Sequence, residues 1–332
     1  MPDIITDVNV PYTGLALKTL AESPTQPRQP LIEQLVYEKT VMMVYADPGA
    51  GKSIVSLCMA LQASAGLPVF GFFEPVRPLK IYYALTERGI EEPLERIQLM
   101  KNAFEINYDN IYFDEGTIGI NVLDQKDEDK LVQRIEKYCP WVDIIVFDPI
   151  YSMVRGGLSD PEDATLFAQF SARVQNHLKC ANWFNHHTLK NTSDYVDGQF
   201  VQKNDPFMGS QFLKAHVTAM YHLTQRNNQP HFAWKKDSHG FLLKQFNLNY
   251  HGETQTVSMK LDTSEMTSKD KASTFLISCK KASKSFTFEQ FFAAIQPCSL
   301  RYAQKILQEI ITQNKIVNLN KKFESALYNV CI

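Results

Sequence analysis

The stretch that opens at Val41 constrains this chain more than any other. An apolar run, Val41-Met42-Met43-Val44-Tyr45, leads into Ala46-Asp47-Pro48-Gly49-Ala50-Gly51-Lys52-Ser53, and an apolar helical segment starts at Ile54. A strand that feeds a glycine-bearing turn and then a helix makes an anion site, because backbone N–H groups and the positive helix end face one point. The spacing fits G-x-x-x-x-G-K-[ST] everywhere but the first position, where Ala46 stands for glycine. That first glycine serves mainly the turn out of the strand, while Gly49 and Gly51 stand where the backbone must approach phosphates closely. The pattern predicts ATP cradled by Asp47, Pro48, Gly49, Ala50, Gly51, Lys52, Ser53 and Ile54. Lys52 would reach the terminal phosphates as a point charge, and the Ser53 hydroxyl would ligate Mg²⁺.

The rest of the chain supplies a matching framework. From Thr40 to about Asn185, β-rich apolar runs at 81–85, 110–113, 143–147 and 182–185 alternate with helical patterns near Ser53, Glu91, Asp127 and Pro161. Such alternation predicts an α/β fold: a mostly parallel, twisted sheet flanked by helices on both faces. Between 217 and 261 the pattern turns to strand after strand (217–223, 231–234, 241–248, 255–261), which predicts antiparallel additions at the sheet edge. Residues 1–30 are Pro-rich and form an irregular lead-in, and 31–36 read as one short ordered element opening an ATPase domain over 31–262. A polar linker, 263–270, precedes a small domain over 271–332. Its helical segments near 271–278, 288–295 and 299–313, followed by β-rich runs at 315–319 and 326–330, predict a winged helix. Leu300, Ile306, Leu307, Ile310 and Ile311 have the spacing of its core face.

Charge and cysteine usage narrow the setting. The chain of 332 residues carries a net charge of −2, yet residues 269–332 hold ten Lys and Arg against four Asp and Glu. The basic surplus therefore sits at the C-terminal end, where it favours DNA as a partner. The six cysteines are scattered with no Cys-x-x-Cys pair, which argues against a zinc site or a disulfide framework. No apolar stretch reaches transmembrane length and the first residues lack a signal-peptide pattern, so no membrane partner and a cytoplasmic location are expected.

Two further strand ends supply chemistry. The run 143–147 is an apolar strand ending in Asp148, placed as a Mg²⁺-orienting carboxylate. The run 81–85 ends at Thr86-Glu87, and a carboxylate there would polarise the water that attacks the γ-phosphate. Glu91 and Glu92 compete for that role but have the look of first-turn residues of the next helix. A third strand enters His186-His187-Thr188-Leu189-Lys190, where His187, with His186 as the alternative, would sense the γ-phosphate. Three adjacent sheet edges carrying Lys52, Glu87 and Asp148 are thus expected to converge on one triphosphate.

The order of these motifs, with Asp148-Pro149, Arg155-Gly156-Gly157, 186–190 and Gly209-Ser210, resembles the RecA-like AAA ATPases related to RepA, the hexameric plasmid replicative helicase. The similarity covers about 31–247. It implies a ring, hexameric in that family, whose active sites lie between subunits and are completed by a neighbour's basic residue. Relatives use a Lys-x-Arg pair; here Lys236 matches the lysine and Ser238 stands at the arginine position. Three outcomes stay open: Lys235 or Lys236 substitutes, Arg226 reaches across, or hydrolysis is slow.

In such a ring the loops after Asp148 and His187 face the channel, which nominates Arg155, Lys190 and Lys203 for single-stranded DNA. Acidic neighbours such as Asp160, Asp194 and Asp205 weigh against them. Arg301, Lys305, Lys321 and Lys322 offer a second DNA surface on the third helix and wing, although winged helices also bind proteins. The leading expectation is an ATP-driven, ring-forming helicase motor of DNA replication in a plasmid, virus or mobile element. The alternative is an ATP-switched loader or scaffold that recruits a primase, polymerase or initiator. A strand-exchange filament would predict open helical polymers instead.

Overall fold

The computed structural model describes residue 18 and residues 29–155, 157–188, 193–196, 199–202, 207, 209, 211–226, 229–239, 245–260, 267–281, 285–312, 316–318 and 327–330. Lys190, Lys203, Lys321 and Lys322 lie outside the described residues, as do most of the expected lead-in, Gly156, Ser210, Gly240 and 263–266 of the expected linker.

A nine-stranded sheet organises the molecule. In chain order its strands are β3 (Val41–Ala46), β4 (Ile81–Leu85), β5 (Ile111–Asp114), β6 (Ile144–Asp148), β7 (Ala181–His187), β10 (Ala219–Arg226), β11 (Gln229–Asp237), β12 (Gln245–His251) and β13 (Thr256–Lys260). Two small antiparallel pairs stand apart from it: β1 (Pro30–Ile32) with β2 (Val36–Tyr37), and β8 (Ser193–Val196) with β9 (Gln199–Gln202). The short element expected at 31–36 is therefore a tiny hairpin, turning through Gln34 at φ 62° and burying Leu31, Ile32, Leu35 and Val36.

Across the large sheet the order is β13-β12-β11-β10-β3-β7-β6-β4-β5. β10 departs from expectation, since it runs parallel to β3, with Ala219 opposite Met42, and the antiparallel pairings are those of β10 with β11, β11 with β12 and β12 with β13. Phe207 bridges Thr188 at the carboxyl end of the sheet and the Thr218 N–H donates to the Val41 carbonyl at the amino end, so the stretch that holds α5 (Gln211–His216) brings the chain back across before β10 begins. β11 then pairs antiparallel with β10, with Arg226 opposite Gln229.

Strand periodicity divides the core into two layers. Met42, Val44 and Ala46 of β3 face one layer, while Val41, Met43 and Tyr45 face the other. Because helices cover both faces, these strands are continuous apolar runs rather than polar–apolar alternations. The first layer packs under α1 (Lys52–Ser64) and α2 (Glu91–Met100) through Leu57, Cys58, Leu61, Ile97 and Met100. The second packs under α3 (Gln125–Tyr138) and α4 (Pro161–Leu178) through Leu131, Ile135, Phe167, Phe170 and Val174. Asp124 and Asp160 cap these last two helices, accepting from the N–H groups of Lys126 at 2.9 Å and Glu162 at 2.7 Å.

The C-terminal part holds α6 (Ser268–Lys281), β14 (Phe286–Thr287), α7 (Phe288–Ala294), α8 (Leu300–Thr312), β15 (Ile316–Asn318) and β16 (Leu327–Val330). Its sheet has the order β14-β16-β15, all antiparallel, one short strand more than expected. Helix α6 begins inside the expected linker because Thr267 caps it, accepting from the N–H of Asp270 at 3.2 Å. Ala303, Ile306, Leu307 and Ile310 form the buried face of α8, but Leu300 is 51% exposed. It is the first helical residue, and Ser299 Oγ accepts from Tyr302 N at 3.2 Å, which sets the helix start at the surface. Among the described residues no helix is long and apolar enough to cross a membrane.

Candidate functional site

Parallel strands deliver their carboxyl ends to one edge, and there the loops leave a crevice of about 880 Å³. Its wall includes Pro48, Gly49, Gly51, Lys52, Ser53, Ile54, Glu87, Asp148 and His187, so all four residues expected to be catalytic share it. The four strands lie side by side, but the three edges expected to be adjacent are interrupted. β7, with His187, lies between β3 and β6, and Glu87 follows β4 on the far side of Asp148.

The loop between β3 and α1 is built by backbone conformation. Gly49 has φ 79° and Gly51 has φ 96°, left-handed values that disfavour any side chain. A β carbon at either would meet no protein atom within 4 Å, so open space borders the loop at both glycines. Ala46 costs nothing in place of glycine because it is still the last residue of β3, with no positive φ. Gly51 starts α1 without any side-chain cap, and no acidic residue occupies its first turn. The helix N-terminus therefore offers N–H groups and positive dipole with no competing carboxylate of its own. Of the expected cradle, Asp47 and Ala50 do not line the crevice. The Ala50 N–H closes the turn on the Asp47 carbonyl at 3.2 Å, and the Asp47 carboxylate accepts a hydrogen bond from Thr188.

Lys52 is 6% exposed, and its ammonium donates to the carbonyls of Ala46 at 2.8 Å and Asp47 at 3.1 Å. Burial pushes its pKa down to about 8, against the opposing pull of the Asp148 and Asp47 carboxylates. Ser53 Oγ donates to Asp148 Oδ1 at 3.2 Å. A hydroxyl and a carboxylate oxygen this close are the hard donors a magnesium ion takes, and the residues fit the ion. On the other side of Asp148, Oδ2 accepts from Tyr83 Oη at 2.7 Å.

Glu87 is exposed in the crevice and makes no hydrogen bond or ion pair among the described residues. The chain around it is fixed. Thr86 donates its backbone N–H to the Asp148 carbonyl at 3.3 Å and its hydroxyl to the Pro149 carbonyl, while Ser152 Oγ lies 2.8 Å from Thr86 Oγ1. The two histidines part company, as successive strand residues must. His186 is fully buried against Phe207, with ring centroids 5.5 Å apart, whereas His187 lines the crevice beside Tyr151. Glu91 does not line it; Glu92 does, paired with Arg88 at 3.0 Å and with Arg96.

Sequence reasoning missed Tyr83, Thr188, Tyr151, Arg88 and Arg96. One signal was available for Tyr83, since a phenol on a wholly apolar strand must find a partner when buried. Lys235 and Lys236, proposed as trans-acting, do not line the crevice of their own chain. Lys236 donates to the carbonyls of Lys214 at 2.7 Å and Ala215 at 2.8 Å near the end of α5, and burial lowers its pKa. Lys235 is exposed, and Arg226 ends β10. Arg155 is exposed beyond β6, and Arg301 and Lys305 lie on the exposed side of α8.

Three solved structures resemble this fold. An isolated ATPase domain aligns at a TM-score of 0.49 and 13% identity, over 67% of this chain and 85% of that one. A DnaB-like replicative helicase, described with its interactions with primase, aligns at 0.51 and 12%, over 73% of this chain and 66% of that one. A KaiC-like protein, PH0186 from Pyrococcus horikoshii OT3, aligns at 0.45 and 11%, over 72% and 99%. No curated protein matches the sequence. A mostly parallel sheet flanked by helices, as in RecA-like ATPase domains, is what the chain shares with the DnaB-like structure. The AAA domain family matches residues 15–193, which hold the glycine loop, Glu87, Asp148 and His187, and the chain belongs to that family.

Proposed function

We propose that this protein is an ATP-hydrolysing, ring-forming motor on single-stranded DNA, a replicative helicase of a plasmid, virus or other mobile element. The observation that carries this is the meeting of Lys52, Ser53, Glu87, Asp148 and His187 in one crevice at the carboxyl edge of the sheet. Lys52 binds the terminal phosphates, with the loop N–H groups around them. Glu87, exposed in the crevice and held beside Asp148 by the Thr86 contacts, takes the proton of the attacking water. His187 hydrogen-bonds the γ-phosphate and passes its loss to the segment after Thr188. Magnesium, when bound with ATP by Ser53 and Asp148, neutralises charge on the phosphate oxygens.

Subunits assemble as a hexamer, and hydrolysis alternates at their interfaces. Arg155, Lys190 and Lys203 face the DNA strand in the channel. The elements α6 to β16 form a winged helix whose Arg301, Lys305, Lys321 and Lys322 meet DNA or a replication partner. The DnaB-like helicase of the shared fold is described with primase, which makes a primase the first partner to try. Single-stranded DNA should stimulate ATP turnover, and native mass should read six chains with ATP. A Lys52→Ala variant that unwinds a forked duplex as well as wild type would refute the motor.

One observation favours a second function. Ser238 stands where the resemblance expects an arginine, and Lys236 is engaged by carbonyls of its own chain. An arginine finger contributes about 10³ to 10⁵ in rate, so its loss would leave an ATP-switched loader with slow hydrolysis. Turnover unchanged by single-stranded DNA would select the loader.

A further inference from the structure

The two oxygens of the Asp148 carboxylate have different neighbours. Oδ1 faces Ser53 Oγ, and Oδ2 accepts from the Tyr83 phenol. Tyr83 sits on β4 next to β6, on the same sheet face as α1, and is 1% exposed. Its ring packs against Phe113 of β5, with centroids 5.2 Å apart and planes 33° apart. An aspartate's terminal torsion is broad and two-fold, so nothing in the residue itself decides which oxygen faces the crevice. A donor on a ring that packing holds still removes that freedom. A phenol does so without adding charge, whereas an ammonium or guanidinium at the same place would compete with a cation for the carboxylate.

We infer that Tyr83 is the positioning residue of the divalent-cation site: by holding Oδ2 it presents Oδ1 of Asp148, together with Ser53 Oγ, to the metal. The inference rests on the assignment of Ser53 and Asp148 as the residues that hold the nucleotide's metal. Partners behind a metal ligand commonly contribute about 10- to 100-fold in affinity.

Manganese as a paramagnetic probe reads the site without turnover. The full chain with ADP is titrated with Mn²⁺ and followed by electron paramagnetic resonance, for wild type, Tyr83→Phe, Asp148→Ala and the double variant. Tyr83→Phe should weaken Mn²⁺ binding about tenfold, leave ADP affinity in excess EDTA unchanged, and add nothing in the Asp148→Ala background. Wild-type Mn²⁺ affinity in Tyr83→Phe overturns the inference. An equal loss with and without Asp148 also overturns it, because the phenol would then act through folding rather than through the carboxylate. If Asp148→Ala and Ser53→Ala both bind Mn²⁺ as wild type does, the metal assignment itself falls, an outcome distinct from failure of Tyr83 alone.

Discussion

Two carboxylates at opposite ends of the same strand register show how this sheet divides its work. Asp143, just before β6, has both oxygens engaged. Arg77 grips it through two N–H groups, each at 2.8 Å, and the backbone N–H of Lys80 adds a third bond at 2.8 Å. Asp148, at the far end of β6, is steadied by Tyr83 on one oxygen and, among the described residues, accepts on the other from the Ser53 hydroxyl. Glu87 nearby is exposed and makes no hydrogen bond or ion pair among the described residues. A carboxylate whose two oxygens are both held by donors of its own fold is a staple, while one with an oxygen turned to a crevice can still take a ligand. The amino edge of the sheet is finished, and the carboxyl edge is not.

The sharpest way to break that contrast is to remove Lys52. Lys52→Ala should lower kcat/KM for ATP by about 10³ or more, since a buried charge aimed at the phosphates is lost. Isothermal titration with ATP and steady-state turnover measure it. Next in size, Glu87→Gln should bind ATP near wild-type affinity while kcat drops about 10² to 10³. Glu91→Gln, whose carboxylate lies outside the crevice, should change neither, and equal losses in the two variants would erase Glu87's special position.

A smaller effect follows from the Lys52 ammonium, whose pKa burial lowers to about 8. Phosphates beside it favour the charged form, so nucleotide binding takes up a proton once the free protein has lost it. ATP affinity should therefore be flat below pH 8 and fall above it, by at most about tenfold per pH unit. Titration in buffers of different ionisation enthalpy would show the proton uptake, and Lys52→Ala should lack it.

Much of the site was legible because its chemistry is local. Gly49 and Gly51 are needed for their φ values, Asp148 and His187 each end a strand and Glu87 closely follows one, so a linear pattern locates them. What escaped is what depends on residues far apart in the chain. Strand order is one case: β7 lies between β3 and β6, which no local pattern records. The parallel sense of β10 is another, decided by the stretch that holds α5. Tyr83 and Thr188 look like ordinary strand residues until Asp148 and Asp47 come beside them. Lys236 matched a motif, yet α5 draws its ammonium onto two carbonyls. Leu300 had the right spacing but sits where α8 begins, at the surface.

The amino edge provides the smallest and cleanest test. Arg77 is 55% exposed and Asp143 11%, so solvent screens the pair on the arginine side. Arg77→Ala should cost no more than about 1 kcal/mol, the range of exposed ion pairs. Asp143→Ala should cost more, about 1–2 kcal/mol, because it also leaves the Lys80 N–H without its acceptor. For a chain of this size that amounts to a few degrees in Tm, about 2–4 °C. ATP affinity should stay at the wild-type value in both variants. Were Asp143→Ala to weaken ATP binding as well, the two ends of β6 would be mechanically coupled, and the division between a closed edge and an open one would have to be given up.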